Sequence, residues 1–273
     1  MTVAVVGLCI GSFLNVVIYR LPKMMEAQWR AECADLNGLE PVPAERFDLM
    51  HPPSRCPSCG TPIRALQNIP VVSWLVLRGK CAACRAPISA RYPAVELFTG
   101  ILSVLVAWRI GYSGALIPAL AFAWSMVALA FIDFDTQLLP DDITLPLLWL
   151  GLLANAFGAF VDLRSAVFGA AAGYLVLWLV YWAFRILAGK EGMGFGDFKL
   201  LAAIGAWTGW QVLPFVILVS AGLGAVIGGI GLALARRGRD TRIPFGPFLA
   251  FGGLAGLLWG HPVVVAWIGR FPA

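Results

Sequence analysis

Residues 115–132 read ALIPALAFAWSMVALAFI, eighteen positions without a charge, and the next ten, Asp133 to Asp142, read DFDTQLLPDD. A hydrocarbon core about 30 Å thick asks for roughly 20 apolar residues in a helix, so the first stretch is a membrane span and the acids mark its end in water. The whole chain agrees with that solvent: 60% of its residues are apolar, 13% are charged and its mean hydropathy is +0.82. An average soluble domain is about 45–50% apolar and about 25% charged. Twenty Lys and Arg with 15 Asp and Glu cannot cover a 29.3 kDa chain, which excludes an ordinary soluble globule. Further apolar runs lie at 2–18, 94–108, 143–161, 166–187, 198–207, 212–235 and 245–268. The expected fold is therefore an all-α polytopic membrane protein of about eight transmembrane helices. The run at 198–207 is too short to cross alone and must recruit 208–211 or be re-entrant. The first run has no basic segment before it, and Tyr19-Arg20-Leu21-Pro22 follows without a small-residue cleavage site, so it reads as a retained helix rather than a signal peptide.

Charge sets the orientation, because Lys and Arg collect in cytoplasmic loops. Ten of the 20 lie between Arg20 and Arg91. With eight spans and that segment inside, Arg185, Lys190, Lys199, Arg236, Arg237, Arg239 and Arg242 fall on the same side, giving 17 against Arg109, Arg164 and Arg270 outside. Glycines 222, 224, 228, 229 and 231 sit inside an apolar run and read as sites of close helix packing. No internal repeat stands out.

The polar segment carries Cys56-Pro-Ser-Cys59 and Cys81-Ala-Ala-Cys84 with 21 residues between the pairs. A CxxC turn presents two thiolates, and two such knuckles complete a closed tetrahedron around Zn²⁺. Disulfides or redox-active thiols are the alternatives; a reducing cytoplasmic loop argues against stable disulfides. A loop this small and this poor in core residues needs such a staple, which makes it a zinc-ribbon-like domain. Cys9, in a span, and Cys33, alone, read as bystanders.

Acids at membrane depth mark function by default. Asp133 and Asp135 close the run at 115–132, and Asp197 sits in Gly194-Phe-Gly196-Asp197 at the start of the run at 198–207. Two crossings separate Asp133 from Asp197, so both fall on one side and can face each other. Two carboxylates sharing a site do not both ionise easily, so one keeps a proton while the other activates water, the chemistry of an aspartic protease. Glycines before Asp197 would let a substrate backbone approach. The residues alone leave open a proton relay or ion site in a transporter, or charges solvated at a helix end. Asp141 and Asp142, after Pro140, read as helix caps and Asp135 as an interfacial charge.

The motifs resemble those of bacterial type IV prepilin peptidases, bifunctional leader peptidases and N-methyltransferases that also serve type II secretion. The matching stretches are 11–22 (GSFLNVVIYRLP), 55–59, 68–75 (NIPVVSWL), 78–81, 88–93 with Glu96, 133–150 and 192–200 (GMGFGDFKL). The resemblance implies a GxGD-type intramembrane aspartyl protease whose catalytic pair is Asp133 and Asp197. It implies a structural Zn²⁺ on Cys56, Cys59, Cys81 and Cys84, and a second activity that methylates the new N-terminal residue from S-adenosylmethionine. Gly79 and Glu96 lie in stretches the family associates with that second activity and are the candidates for the cofactor side, without an assigned role. The implied organisation is a first membrane helix over 1–19, a cytoplasmic loop with the zinc module over 20–93 and a transmembrane peptidase domain over 94–273. The implied setting is the bacterial inner membrane, multi-pass, with the active site toward the cytoplasm. Prepilin and pseudopilin precursors and the bilayer are the implied partners, with no nucleic acid. An ion-coupled transporter, or a non-catalytic docking protein of a pilus or secretion machine, is the alternative.

Overall fold

The computed structural model describes residues 1–39, 46–189, 193–235 and 244–268. Lys190, Gly192, Arg236, Arg237, Arg239, Arg242 and Arg270, invoked above for charge or motif, lie outside the described residues. The described chain is helical, with isolated bridges at Arg55–Pro62 and Lys80–Pro87 and no strand. It divides into two compact units, Met1–Ala107 and Trp108–Ala273.

In the first unit, α1 spans Thr2–Leu36, α2 Val72–Val76 and most of α3, Arg91–Ile110. α1 does not stop at the Tyr19–Pro22 sequence but runs through Pro22 to Leu36. Arg20 is buried, and its guanidinium donates to the Asp48 carbonyl at 2.8 Å and the Pro52 carbonyl at 2.6 Å, so the charge at the end of the apolar run ties the following loop to the helix. In that loop, the Asp48 carboxylate accepts the Met50 and His51 N–H groups at 2.7 and 2.6 Å; these bonds, His51 first, hold it well below the usual carboxylate range. α1 meets α3 through small residues: a Cβ on Gly11 would lie 2.7 Å from Glu96 Cα, and one on Gly7 2.8 Å from Ser103 Cβ.

The second unit holds α4 (Leu116–Thr136), α5 (Asp141–Ala156), α6 (Leu163–Ala188), α7 (Phe195–Thr208), α8 (Leu213–Ala235), α9 (Gly246–Ala255) and α10 (His261–Ile268), the last two joined by a π turn at Gly256–Gly260. Each of the eight apolar runs lies wholly or mostly in helix, but among the described residues six stretches, not eight, are long and apolar enough to cross a bilayer: Thr2–Leu36, Arg91–Ile110, Leu116–Thr136, Leu163–Ala188, Trp210–Ile230 and Gly246–Ala266. α5 and α7, with 16 and 14 residues, reach only about 24 and 21 Å at about 1.5 Å per residue. α7 is apolar all round because protein surrounds it: it packs on α5, α6 and α9, and its residues from Leu200 to Thr208 are buried.

The closest crossing is α6 on α7. Gly169 and Gly205 face each other so tightly that a Cβ on either would overlap the other's carbonyl oxygen, and one on Gly173 would lie 2.5 Å from the Leu201 oxygen. Among the α8 glycines, Gly228 is buried. Gly222 and Gly229 meet nothing within 4 Å, and Gly224 only the edge of Phe248 at 3.3 Å. Close approach to backbone is made at Gly169, Gly173 and Gly205, and on α8 by Gly252 of α9, where a Cβ would lie 2.8 Å from the Val216 carbonyl oxygen. Trp207 fills the centre, fully buried, with its indole N–H on the Leu147 carbonyl at 2.9 Å. Buried Asn155 donates to the Ala206 carbonyl at 2.8 Å and accepts the Phe160 and Val161 N–H groups at 3.0 Å, so the far end of α7 is fixed to the α5–α6 turn.

Candidate active site and metal centre

Asp133 lies in the last turn of α4, which ends because Gln137 takes a left-handed conformation (φ 56°) and donates its N–H to the Asp133 carbonyl at 2.9 Å. Asp197 lies in the first turn of α7, after Gly194 at the helix cap. Both carboxylates are buried, at 5% and 7% exposure, and interact electrostatically. Each is at a helix amino terminus, where the peptide dipoles favour negative charge: Asp197 in α7 itself, and Asp133 against α9, whose Gly246 N–H reaches its Oδ2 at 2.9 Å. Gly196 is required by space: a Cβ there would lie 2.7 Å from Leu139 Cβ, where the α4–α5 connection passes the start of α7.

The neighbouring acids behave differently. Asp135 and Asp142 are exposed. Asp141 and Asp142 are not helix caps: Pro140 occupies the cap position of α5, with both aspartates in the first turn. Asp141 instead receives Lys199 Nζ on both oxygens, at 2.8 and 2.7 Å. Lys199 follows Asp197 by half a turn, so this pair ties the starts of α5 and α7 together. Lys199→Asp is expected to lower turnover at this site by up to about fivefold, as a partly exposed pair is worth at most about 1 kcal/mol. Asp141→Lys combined with Lys199→Asp should restore most of the loss in the same assay; an unrescued double variant would mean that Lys199 acts by its own charge.

The four thiols come from two copies of one local structure. The Cys56 N–H bonds to the Thr61 carbonyl and the Cys81 N–H to that of Ala86; Gly60 and Arg85 donate back to Cys56 and Cys81; Ile63 bonds to Ser54 and Ile88 to Gly79. Every partner is displaced by 25 positions, and Gly60 and Arg85 share a left-handed φ of 70° and 60°. The repeat is also in the sequence, as RCPSCGTPI at 55–63 and KCAACRAPI at 80–88, which overturns the absence of an internal repeat; its signal is the flanking basic, Pro and Ile positions rather than the cysteines alone. All four Sγ atoms lie within 4.8 Å of one another, with Cys56 and Cys84 3.8 Å apart, and all the cysteines are free thiols. With Zn–S bonds of about 2.3 Å, a tetrahedron has S–S edges of about 3.8 Å. Hydrogen bonds from the Thr61 side chain and backbone hold the Cys59 thiol down at about 6, and the backbone of Cys84 and Ala83 lowers that of Cys81. The donor set fits a structural zinc with no open position.

Gly79 and Glu96 shape backbone. Gly79 has φ 66°, and a Cβ would lie 2.9 Å from Trp74 Cζ2, whose ring donates its N–H to the Ile88 carbonyl at 3.2 Å. Glu96, buried in α3, takes the Val71 N–H on Oε2 at 2.7 Å, and Val71 is a β-branched residue at φ 61°, a strained conformation held by that bond.

Fold and site together define a helical chain that, among its described residues, has six stretches able to cross a membrane, two buried carboxylates that interact electrostatically and a four-thiol cluster able to hold a metal. Residues 5–110 match the bacterial peptidase A24 N-terminal domain and residues 120–229 the type IV leader peptidase family. A prepilin leader peptidase/N-methyltransferase of Stutzerimonas stutzeri is 53% identical over 265 residues, covering 97% of this chain and 92% of that protein. Proteins of the same name from Aeromonas hydrophila and Pseudomonas aeruginosa are 55% and 54% identical, over 97% and 94% of this chain and 92% and 89% of theirs. No solved structure matches. The chain belongs to the type IV leader peptidase family.

Proposed function

We propose that the chain cleaves the short basic leader of type IV prepilins and pseudopilins at the cytoplasmic membrane face, and then N-methylates the new N-terminal residue. Family membership over nearly the whole chain supports the activity, and no observation favours a transporter or a passive docking protein. The observation that carries the site is the burial of Asp133 and Asp197 within electrostatic reach of each other at the ends of α4 and α7. One aspartate deprotonates a water that attacks the scissile carbonyl. The other, protonated, donates to the developing oxyanion; on collapse the first passes the proton it took from water to the leaving amine, and the second regains its own from the diol.

The excess of Lys and Arg on one side favours a cytoplasmic 20–93 segment between a first membrane crossing, the 1–19 part of α1, and a peptidase domain, 94–273. In this reading α5 and α7 are the short fourth and sixth of eight crossings, and α7 is covered by protein rather than lipid. Cys56, Cys59, Cys81 and Cys84 hold a Zn²⁺ that braces the segment. S-adenosylmethionine supplies the methyl group, and no side chain is assigned to it. Purified protein incubated with a precursor should release the leader, and the product's amine should gain one methyl only when the donor is added. Substrate flux without cleavage would overturn the reading.

Leader capture adds an electrostatic element. The exposed Asp135 and Asp142, close in sequence to the pair, attract a basic leader. Replacing both with Asn should raise KM for basic leaders by about two- to fivefold at low salt, since exposed charges contribute at most about 1 kcal/mol. The effect should fade at high salt. Equal losses for neutral and basic leaders would assign these residues to the helix end instead.

A further inference from the structure

We infer that Gly246, at the start of α9, is a third component of this site: a positioning residue whose N–H holds the Asp133 carboxylate and whose missing side chain makes room for it. The inference rests on the reading of Asp133 as one of the catalytic pair. Gly246 lies 113 residues from Asp133 and beyond both stretches that match the family. Its N–H is 2.9 Å from Asp133 Oδ2 in a buried contact. The first N–H groups of a helix have no partner within it, and a buried donor left unpaired is costly, so the carboxylate and the helix end satisfy each other.

Space makes the case specific. A Cβ on Gly246 would lie 2.6 Å from Asp133 Oδ2, 2.9 Å from its Cγ and 3.1 Å from its Cβ; its three nearest neighbours all belong to that side chain. Other crowded glycines on α9 press on packing groups instead, as Gly253 does on Ile204, with Cδ1 at 2.8 Å. Residue 246 does not take a left-handed φ, so backbone conformation does not demand glycine there. The carboxylate does. Any side chain at 246 turns Asp133 away from Asp197 and from the water between substrate and pair.

The test compares three variants of the whole chain in a leader-cleavage assay, beside Asp133→Ala. Gly246→Ala should lower kcat by roughly 10²-fold, the scale of about 1 Å of misplacement, with KM and zinc content unchanged. Gly253→Ala on the same helix should lower it by less than about threefold. An amide-to-ester replacement at Gly246, introduced as an α-hydroxy acid, removes the donor and adds no atom; it should lower kcat by about tenfold at constant KM. Near-normal turnover of the ester form, or equal losses in Gly246→Ala and Gly253→Ala, overturns the proposal. If Asp133→Ala still cleaves, the catalytic pair itself is wrong; if it is dead while the Gly246 variants are active, only the role of Gly246 fails.

Discussion

Asp133→Ala and Asp197→Ala should each reduce leader cleavage by roughly 10²- to 10⁴-fold, the range over which a positioned acid or base contributes. Methylation of a synthetic peptide that already carries the free amine needs no cleavage and should persist, which reports that the variant is folded and inserted. Asp133→Asn and Asp197→Asn are the sharper experiments. An asparagine side chain at position 133 is as large as the aspartate and can still accept the Gly246 N–H, so the packing of α4 on α9 is kept and only the ionisable group is lost. Equal losses in the Ala and Asn variants assign the effect to proton transfer; cleavage by the Asn variants at near-normal rates would reduce the pair to a structural contact. Because the two carboxylates act on one water, the double variant should be scarcely worse than either single one.

How far the sequence foretold this site depends on what each residue's partner is. Hydropathy located every helix that carries an apolar run, because such runs are local. It could not tell lipid from protein as the cover, so α7 reads as a weak span when it is a helix sheathed by α5, α6 and α9. The same blindness misplaced the tight crossing. Glycines crowd α8, yet Gly222 and Gly229 face open space, while Gly169, which with Gly173 makes a GxxxG legible in the sequence, touches Gly205 backbone to backbone. Asp133 and Asp197 could be found since acids at the ends of apolar runs are scarce. Lys199 looked like a cytoplasmic charge and Asp141 like a cap until the fold brought α5 beside α7. Gly246 gave no signal at all: a glycine before a proline is ordinary, and its need for empty space shows only with Asp133 in place.

Purified protein should carry about one zinc, and removing it should unfold the segment around the four cysteines, because nothing else there forms a core. Between residues 46 and 90 only Cys56 and Gly79 are buried, while Ile63, Leu66, Val72, Leu75 and Val76 are all more than 40% exposed. Two single bridges, Arg55–Pro62 and Lys80–Pro87, add little to hold the segment. A closed four-thiolate site adds on the order of 10–16 kcal/mol near neutral pH, and where the site forms only on folding that is folding free energy. Chelation should therefore make this segment the first site of limited proteolysis and expose four additional titratable thiols. Cys56→Ser and Cys81→Ser occupy equivalent positions of the 25-residue repeat, so each should lose the metal to a similar extent. A disulfide pair would give the opposite record, with no zinc, no response to chelator and thiols that appear only on reduction. Intact metal content in the Cys56→Ser, Cys81→Ser double variant would remove the zinc assignment, and protease resistance after chelation would show that the two knuckles hold without it.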